Sequence, residues 1–359
     1  MIIAFIGYKN SFHYDKIGGT DAIVRRISNY LSDKNKIYIL NYGHKKEKTT
    51  QISKNIIQVD FLTLNDMFEF ILKNNILNSI SIYLKPLDRI KAYLFQKKHS
   101  NIVFHTLITV YNENIFKKWV LFLESSLTYQ GNIYCVSNRI FKSMKNISSK
   151  SILLLPPVDD NFFCTNEIKA SEKIKISYMG RLDYGKGADL AYEYFINSDL
   201  DPNKYDFYMY AYPWENDAFS VDLHNKLLQQ TKVKYIETKL YSDPIEIDKF
   251  LAKVIDDTNL FFLPYRFMRS TIDAPLVPME IMSRGKPFIS TNIGGIKEIT
   301  YHPDALLEIK NLSSHQLVSK RIELILSKNF SIQKFVTDLG YSTSATSNKI
   351  LSSFKNKGL

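Results

Sequence analysis

Three stretches of this 359-residue chain bring chemically capable residues together at short spacing. The first is Gly180-Arg181-Leu182-Asp183-Tyr184-Gly185-Lys186-Gly187. Its three glycines let the backbone pass close to a ligand. Arg181 offers a planar fork of donors and Lys186 a second, mobile charge, both suited to phosphate oxygens. N–H groups at the start of a following helix would favour an anion. Together these groups suit a diphosphate. The pattern is not a P-loop, which needs Gly-Lys-Ser/Thr after four variable residues. The competing structural reading is a glycine-rich turn carrying solvated charges.

The second stretch is Asp273-Ala-Pro-Leu276-Val277-Pro-Met-Glu280. It reads as the entry to a short helix that ends at Gly285. A carboxylate early in a helix is favoured by the dipole. It can also accept two hydrogen bonds from a vicinal diol, as acidic residues do with ribose in dinucleotide sites. The third is Thr291-Asn-Ile-Gly294-Gly295-Ile-Lys-Glu298, a strand running into a double glycine that permits close main-chain approach to a ligand. Plain helix and turn chemistry also explains each of these two in isolation.

The N-terminal part offers less. Gly18-Gly19-Thr20-Asp21 precedes a helical pattern and could receive a phosphate or sugar, or simply cap the helix. His105 falls at the end of a strand pattern, where catalytic groups of α/β folds gather, although a lone histidine is often structural. Residues 85–98 place Ile90, Tyr93 and Leu94 at helical spacing among Lys85, Arg89, Lys91, Lys97 and Lys98, a pattern suited to an anionic membrane surface or to a solvated helix. Lys117-Lys118-Trp119 is a weaker instance of the same pattern.

The elements that must position these groups alternate between strand and helix. Residues 2–6 form an apolar run, 20–31 have a helical period and 36–40 are a second strand, the opening of a parallel α/β sheet. Residues 56–62, 101–105, 133–136 and 153–155 continue the strand series. After a polar connection at 160–173 the pattern restarts, with strands at 175–179, 205–211, 234–237, 259–263 and 288–291 and a helix at 188–195. Residues 342–357 read as a final helix. Two doubly wound units are therefore expected, with ligands taken outside the carboxyl ends of their strands and in a cleft between them.

Composition is ordinary for globular protein, at 45% hydrophobic and 23% charged, which excludes disordered and collagen-like chains. Only Cys135 and Cys164 are present, so neither a disulfide framework nor a zinc ligand set is expected. The N-terminal apolar run is too short for a signal peptide, and no apolar stretch is long enough to span a bilayer. Residues 1–150 hold 22 Lys/Arg against 10 Asp/Glu, a net of +12, and the remainder 25 against 26, a net of −1. This asymmetry points to two units with different partners, the basic one meeting something anionic, although lysine-rich composition alone would also give it.

The order of these pieces resembles the family-4 retaining glycosyltransferases, of the GT-B fold with two Rossmann-like domains. The likeness takes in the Gly18-Gly19 loop, Cys135-Val-Ser-Asn, Leu155-Pro-Pro-Val-Asp159, Gly180-Arg181 through Lys186-Gly187, the segment ending at Glu280, and Gly294-Gly295 with Glu298. The resemblance implies an acceptor domain at 1–165, a nucleotide-sugar domain at 166–340 and a C-terminal helix at 341–359 crossing back to the first domain. It implies that Arg181 and Lys186 bind the donor diphosphate without a metal or cofactor, and that Glu280 binds ribose. Leu276, Val277, Gly294 and Gly295 would line the donor, the Gly18-Gly19 backbone would approach the diphosphate, and His105 would contact the donor sugar. The family usually shows two glutamates separated by seven residues. Here the earlier position is Ile272, so Asp273 is expected to substitute, or main-chain N–H groups of residues 274–277 read the sugar.

The function expected is transfer of a hexose or deoxyhexose from a UDP-, GDP- or dTDP-sugar to an anionic lipid-linked or saccharide acceptor. The expected setting is bacterial surface polysaccharide or O-antigen assembly, in the cytoplasm at the inner face of the plasma membrane. One alternative is another GT-B enzyme such as a nucleotide-sugar epimerase, which would need an acid pair, for which only Glu113 and Glu124 offer themselves. The other is a basic nucleic-acid-binding protein, which the neutral second half argues against, so no nucleic-acid partner is expected.

Overall fold

A computed structural model describes residues 1–9, 12–14, 18–82, 84–110, 131–163, 172–238, 244–267 and 272–355. Glu113, Lys117, Lys118, Trp119, Glu124 and Cys164 lie outside the described residues. The chain divides into two units, Met1–Pro157 with Tyr341–Leu359, and Val158–Gly340.

In the first unit, β1 (Ile2–Tyr8) is apolar along both faces and is buried between β2 (Lys36–Tyr42) and β5 (Asn78–Ile82), both parallel to it. The remaining strands are β3 (Lys48–Ser53), β4 (Ile56–Phe61), β6 (Val103–Ile108), β7 (Ile133–Cys135) and β8 (Ser151–Leu153), in the sheet order β3-β4-β2-β1-β5-β6-β7-β8. Only β3, exposed at the edge, runs antiparallel. The described helices are α1 (Gly19–Ser32), α2 (Leu64–Lys73), α3 (Pro86–Lys98) and α4 (Asn138–Lys145). Helix α2 opens with a capping box in which Thr63 and Asp66 satisfy each other's backbone N–H. Strand order reverses at β1, so the loop after β1, which leads to Gly18, is where such a sheet takes a ligand.

The second unit has a six-stranded parallel sheet in the order β11-β10-β9-β12-β13-β14. Its strands are β9 (Ile174–Arg181), β10 (Tyr205–Tyr212), β11 (Val233–Glu237), β12 (Leu260–Leu263), β13 (Phe288–Thr291) and β14 (Leu306–Leu307). The helices are α5 (Ala188–Asn197), α6 (Ala218–Gln229), α7 (Pro244–Asp256), α8 (Leu276–Ser283), α9 (Ile296–Ile299), α10 (His315–Ser327) and α11 (Ile332–Leu339). A core of Ile176, Tyr194, Phe195, Met209 and Phe262 packs α5 on this sheet. Here the order reverses between β9 and β12, which brings the exits of those two strands side by side.

Residues 158–163, within the stretch to 165 expected with the first domain, begin the second unit. The reason is local: Phe162 is fully buried, and the Asn161 carbonyl accepts from Arg284 Nη1 at 3.1 Å, with Arg284 itself paired to Asp256. The last helix, α12 (Thr343–Lys355), returns to the first unit and packs on α1. Asn132 donates to the Ser353 carbonyl at 3.2 Å, and the Tyr134 and Ser353 hydroxyls lie 2.6 Å apart. Among the described residues no helix is long and apolar enough to cross a membrane.

Candidate functional site

Arg181 is the last residue of β9, and the loop it opens runs to Gly187, the N-cap of α5. Gly187 holds a left-handed φ of 67°, and a Cβ there would meet the Pro264 carbonyl oxygen at 1.9 Å, so only glycine lets the loop lie against the β12 exit. The Asp183 side chain and carbonyl both accept from the Lys186 N–H, each at 3.1 Å, while Gly187 N–H donates to Tyr184 and Ala188 N–H to Asp183. These three N–H groups are used within the loop, and only that of Ala188 belongs to the helix start that the sequence aims at an anion. Beyond its backbone, the loop presents side chains to a ligand.

Those side chains are two cations. The Arg181 guanidinium lies 3.6 Å from the Asp183 carboxylate and stacks at 4.9 Å over Trp214, which follows β10. Lys186 is partly buried, and its ammonium is pushed down to about 8, mainly by burial and then by the like charge of Arg181, with Asp183 and Glu280 pulling it back up. Glu280, on α8, is thus within electrostatic reach of Lys186. It is itself 3% exposed and sits one turn into its helix rather than at the tip.

Asp273, Gly294 and Gly295 also come together. The Gly295 N–H donates to the Asp273 carbonyl at 3.1 Å, and a Cβ on Gly295 would lie 2.5 Å from that oxygen and 3.1 Å from the Asp273 carboxylate. Gly294 has φ +54°. Leu276 and Val277 form the first turn of α8, behind the N-cap Pro275. The carboxyl-end loops of β9, β12 and β13 therefore gather Arg181, Lys186, Asp273 and the double glycine along one edge of the second sheet. Gly18 and Gly19, in the first unit, cap and begin α1, whose Ala22 N–H donates to the Gly18 carbonyl at 2.8 Å.

His105 does not belong to a ligand edge. Strand β6 continues to Ile108, which places His105 third in the strand, with no exposed surface. Its Nδ1 accepts from the Asn132 N–H at 3.0 Å, its Nε2 faces Asn78 Oδ1 at 3.3 Å, and its ring packs on Tyr134 and Phe354. The expected sugar contact is replaced by a core histidine that fastens α12. Cys135 is likewise inert, its thiol pushed up to about 12 by burial.

Two residues escaped the sequence reading. Arg266, just past β12, grips Asp189 with two bonds of 2.5 and 2.7 Å, donates to the Tyr184 carbonyl at 2.9 Å and stacks on the Tyr184 ring at 4.0 Å. It pins the loop from the opposite strand exit. Trp214 is the other. The one signal for both was position: each follows the carboxyl end of a strand next to β9.

A family model described as "Glycosyl transferases group 1" matches residues 164–340. No curated protein matches the chain. Among solved structures, a glycosyltransferase from Rickettsia africae ESF-5 is 17% identical with a TM-score of 0.72, over 100% of this chain and 99% of that one. Anabaena Alr3699/HepE in complex with UDP-glucose is 10% identical at 0.66, over 99% and 100%. A UDP-forming α,α-trehalose-phosphate synthase from Burkholderia xenovorans in complex with glucose-6-phosphate is 9% identical at 0.67, over 98% and 99%. The fold is that of the GT-B glycosyltransferases, two α/β domains with parallel sheets.

Proposed function

We propose that the protein is a retaining, metal-independent glycosyltransferase of family 4, moving a hexose or deoxyhexose from a nucleotide-diphosphate sugar to a lipid-linked or saccharide acceptor. The observation that carries this reading is the pairing of Arg181 with Lys186 at the switch point of the second sheet, with Glu280 in electrostatic reach. The supporting likenesses are the group 1 match and relatives solved with UDP-glucose and glucose-6-phosphate. The basic first unit fits an anionic acceptor in surface polysaccharide or O-antigen assembly, at the inner face of the plasma membrane.

The mechanism follows from charge. As the sugar departs it takes on oxocarbenium character, and negative charge collects on the nucleotide's β-phosphate. Arg181 supplies a fork of donors and Lys186 a point charge to that phosphate, both held before the reaction begins. The paired cations do the electrostatic work that elsewhere falls to a divalent ion. Glu280 would take the ribose hydroxyls. Asp273 and the amides of Leu276 and Val277 would orient the sugar beside Gly294-Gly295. Retention follows if the acceptor attacks on the face the nucleotide leaves, with the leaving phosphate taking the acceptor's proton, so that no protein nucleophile is needed.

Lys186 gives a test with a sign. With its ammonium titrating at about 8, Lys186 in the free protein is roughly nine-tenths charged at pH 7 and one-tenth at pH 9. A diphosphate favours the charged form, so donor affinity falls as pH rises through this range. Stability runs the other way: from about 8 to the unfolded value of 10.5 the unfolded chain binds more protons, so folding gains with pH. A thermal-shift screen of UDP-, GDP- and dTDP-sugars at pH 7 and pH 9 reads both slopes. One donor class should raise the midpoint at pH 7 and do so much less at pH 9, and Lys186→Met should remove that difference. No shift with any donor would reject the function.

A further inference from the structure

Helix α3 is apolar on two sides: Ala92 and Phe95 pack into the core of the first unit, and a second apolar stripe faces solvent. Its solvent face carries Leu87, Ile90, Lys91, Leu94, Lys97 and Lys98, spaced at helical intervals on one side. Leu87 is 73% exposed, Leu94 57% and Ile90 48%, whereas Ala92 and Gln96 on the other side are buried. Single exposed leucines are ordinary, but three in a row along one helix form a stripe that needs a partner. The only acid of the helix, Asp88, is turned inward, where it accepts from the Tyr42 hydroxyl at 2.7 Å. The outward face is therefore apolar with a cationic border, in which Lys91 Nζ lies 3.9 Å from the Asp88 carboxylate.

Two further observations choose the partner. The first unit as a whole holds 25 Lys/Arg against 10 Asp/Glu, a net of +15, while the second holds 22 against 26, a net of −4. The positive charge is thus confined to the unit that bears the stripe. Helix α3 also begins at the carboxyl end of β5, beside the switch point of the first sheet, where Lys85 Nζ lies 3.9 Å from the Tyr8 ring centre. The stripe therefore borders the edge at which this sheet takes its ligand.

We propose that α3 is a membrane-docking surface that places Leu87, Ile90 and Leu94 among the headgroups of an anionic bilayer, with Lys91, Lys97 and Lys98 on the lipid phosphates. Apolar insertion and electrostatic attraction act together in such contacts, each lysine near the surface adding to affinity. The surface deepens the membrane setting of the proposed function and rests on that setting, but not on the donor chemistry. Docking would hold the ligand edge of the first unit next to acceptors embedded in the same bilayer.

The full-length protein is tested by co-sedimentation with vesicles of phosphatidylcholine alone and of phosphatidylcholine mixed with phosphatidylglycerol. Binding is expected to the anionic vesicles at low salt, with weak binding to the neutral ones. The triple variant L87S/I90S/L94S and the triple variant K91Q/K97Q/K98Q are each expected to lose about tenfold or more in partitioning. Both keep the wild-type donor-induced thermal shift, since none of the six side chains belongs to the donor site, so failure of docking and failure of the donor reading are told apart. Equal partitioning of wild type and both variants, or equal binding to neutral vesicles, overturns the proposal. So does a soluble dimer that the apolar variant dissolves while vesicle binding is absent, which would assign the stripe to a second copy of the chain.

Discussion

Arg181→Ala is expected to lower kcat/KM by roughly 10²–10³, the loss typical of removing one preorganised donor from developing negative charge. The midpoint of unfolding should scarcely move. The Arg181 side chain is 27% exposed, and in the free protein its partners include a carboxylate at 3.6 Å and an indole face. Such partly solvated contacts contribute on the order of 1 kcal/mol or less each. The large effect on rate and small effect on fold would identify a residue placed for chemistry. Arg181→Lys should recover part of the rate, because it keeps the charge and loses the fork. Steady-state kinetics beside a melting curve check both halves. Wild-type turnover in Arg181→Ala would remove the diphosphate assignment.

Gly187→Ala is expected to show the opposite balance, with the fold itself yielding. The new methyl group would lie 1.9 Å from the Pro264 carbonyl oxygen, and φ at 67° is a conformation alanine resists. The clashing atoms, the Pro264 carbonyl oxygen and carbon, are backbone, so the loop and the β12 exit must separate. The left-handed backbone alone costs about 1–2 kcal/mol, and relieving the overlap adds about 1–3. At about 2–4 °C per kcal/mol for a unit of this size, the melting temperature should fall by several degrees or more. Gly340→Ala is the matched control: φ is +60° but nothing lies within 4 Å of the added carbon, so only the backbone cost applies. The difference between the two variants isolates the contact with Pro264. Equal small losses would mean that the loop is not held against β12 as described. Lys186 precedes Gly187, so donor affinity should fall in Gly187→Ala but not in Gly340→Ala.

The α/β plan was readable because buried parallel strands are written as apolar runs. Strand β13 spans Phe288–Thr291, the bounds its four-residue run implies, and β1 and β2 differ from the reading only at their carboxyl ends. Strand β5 was missed although it is central. Its sequence, Asn-Ser-Ile-Ser-Ile, alternates like a surface strand, yet Ser79 and Ser81 are buried, and the Ser81 hydroxyl is satisfied by the His105 carbonyl at 2.8 Å. Local pattern cannot reveal that a neighbouring strand will supply the acceptor. His105 was misread for a related reason. The strand pattern ends at His105, but Thr106 also lies within β6 and pairs with Ser81.

In the second unit the glycines of the loop were legible because their spacing is rare, and Arg181 and Lys186 stood out as cations between them. The roles of Arg266 and Trp214 were not. Both depend on which strands lie beside β9, and that order is set by the topology of the whole sheet rather than by any local run. The three loop amides carried a different lesson. A glycine-rich turn before a helix resembles an anion cradle, but Asp183 and Tyr184 consume the N–H groups of Lys186, Gly187 and Ala188. The cations Arg181 and Lys186 are the groups whose substitution tests the site.

The most direct measurement is a crystal structure of the protein soaked with the donor that gives the largest thermal shift. The β-phosphate is expected in hydrogen-bond contact with both the Arg181 guanidinium and the Lys186 ammonium, with Arg181 released from Asp183 and the ribose on Glu280. Nucleotide bound elsewhere, or a diphosphate that touches neither cation, would contradict it.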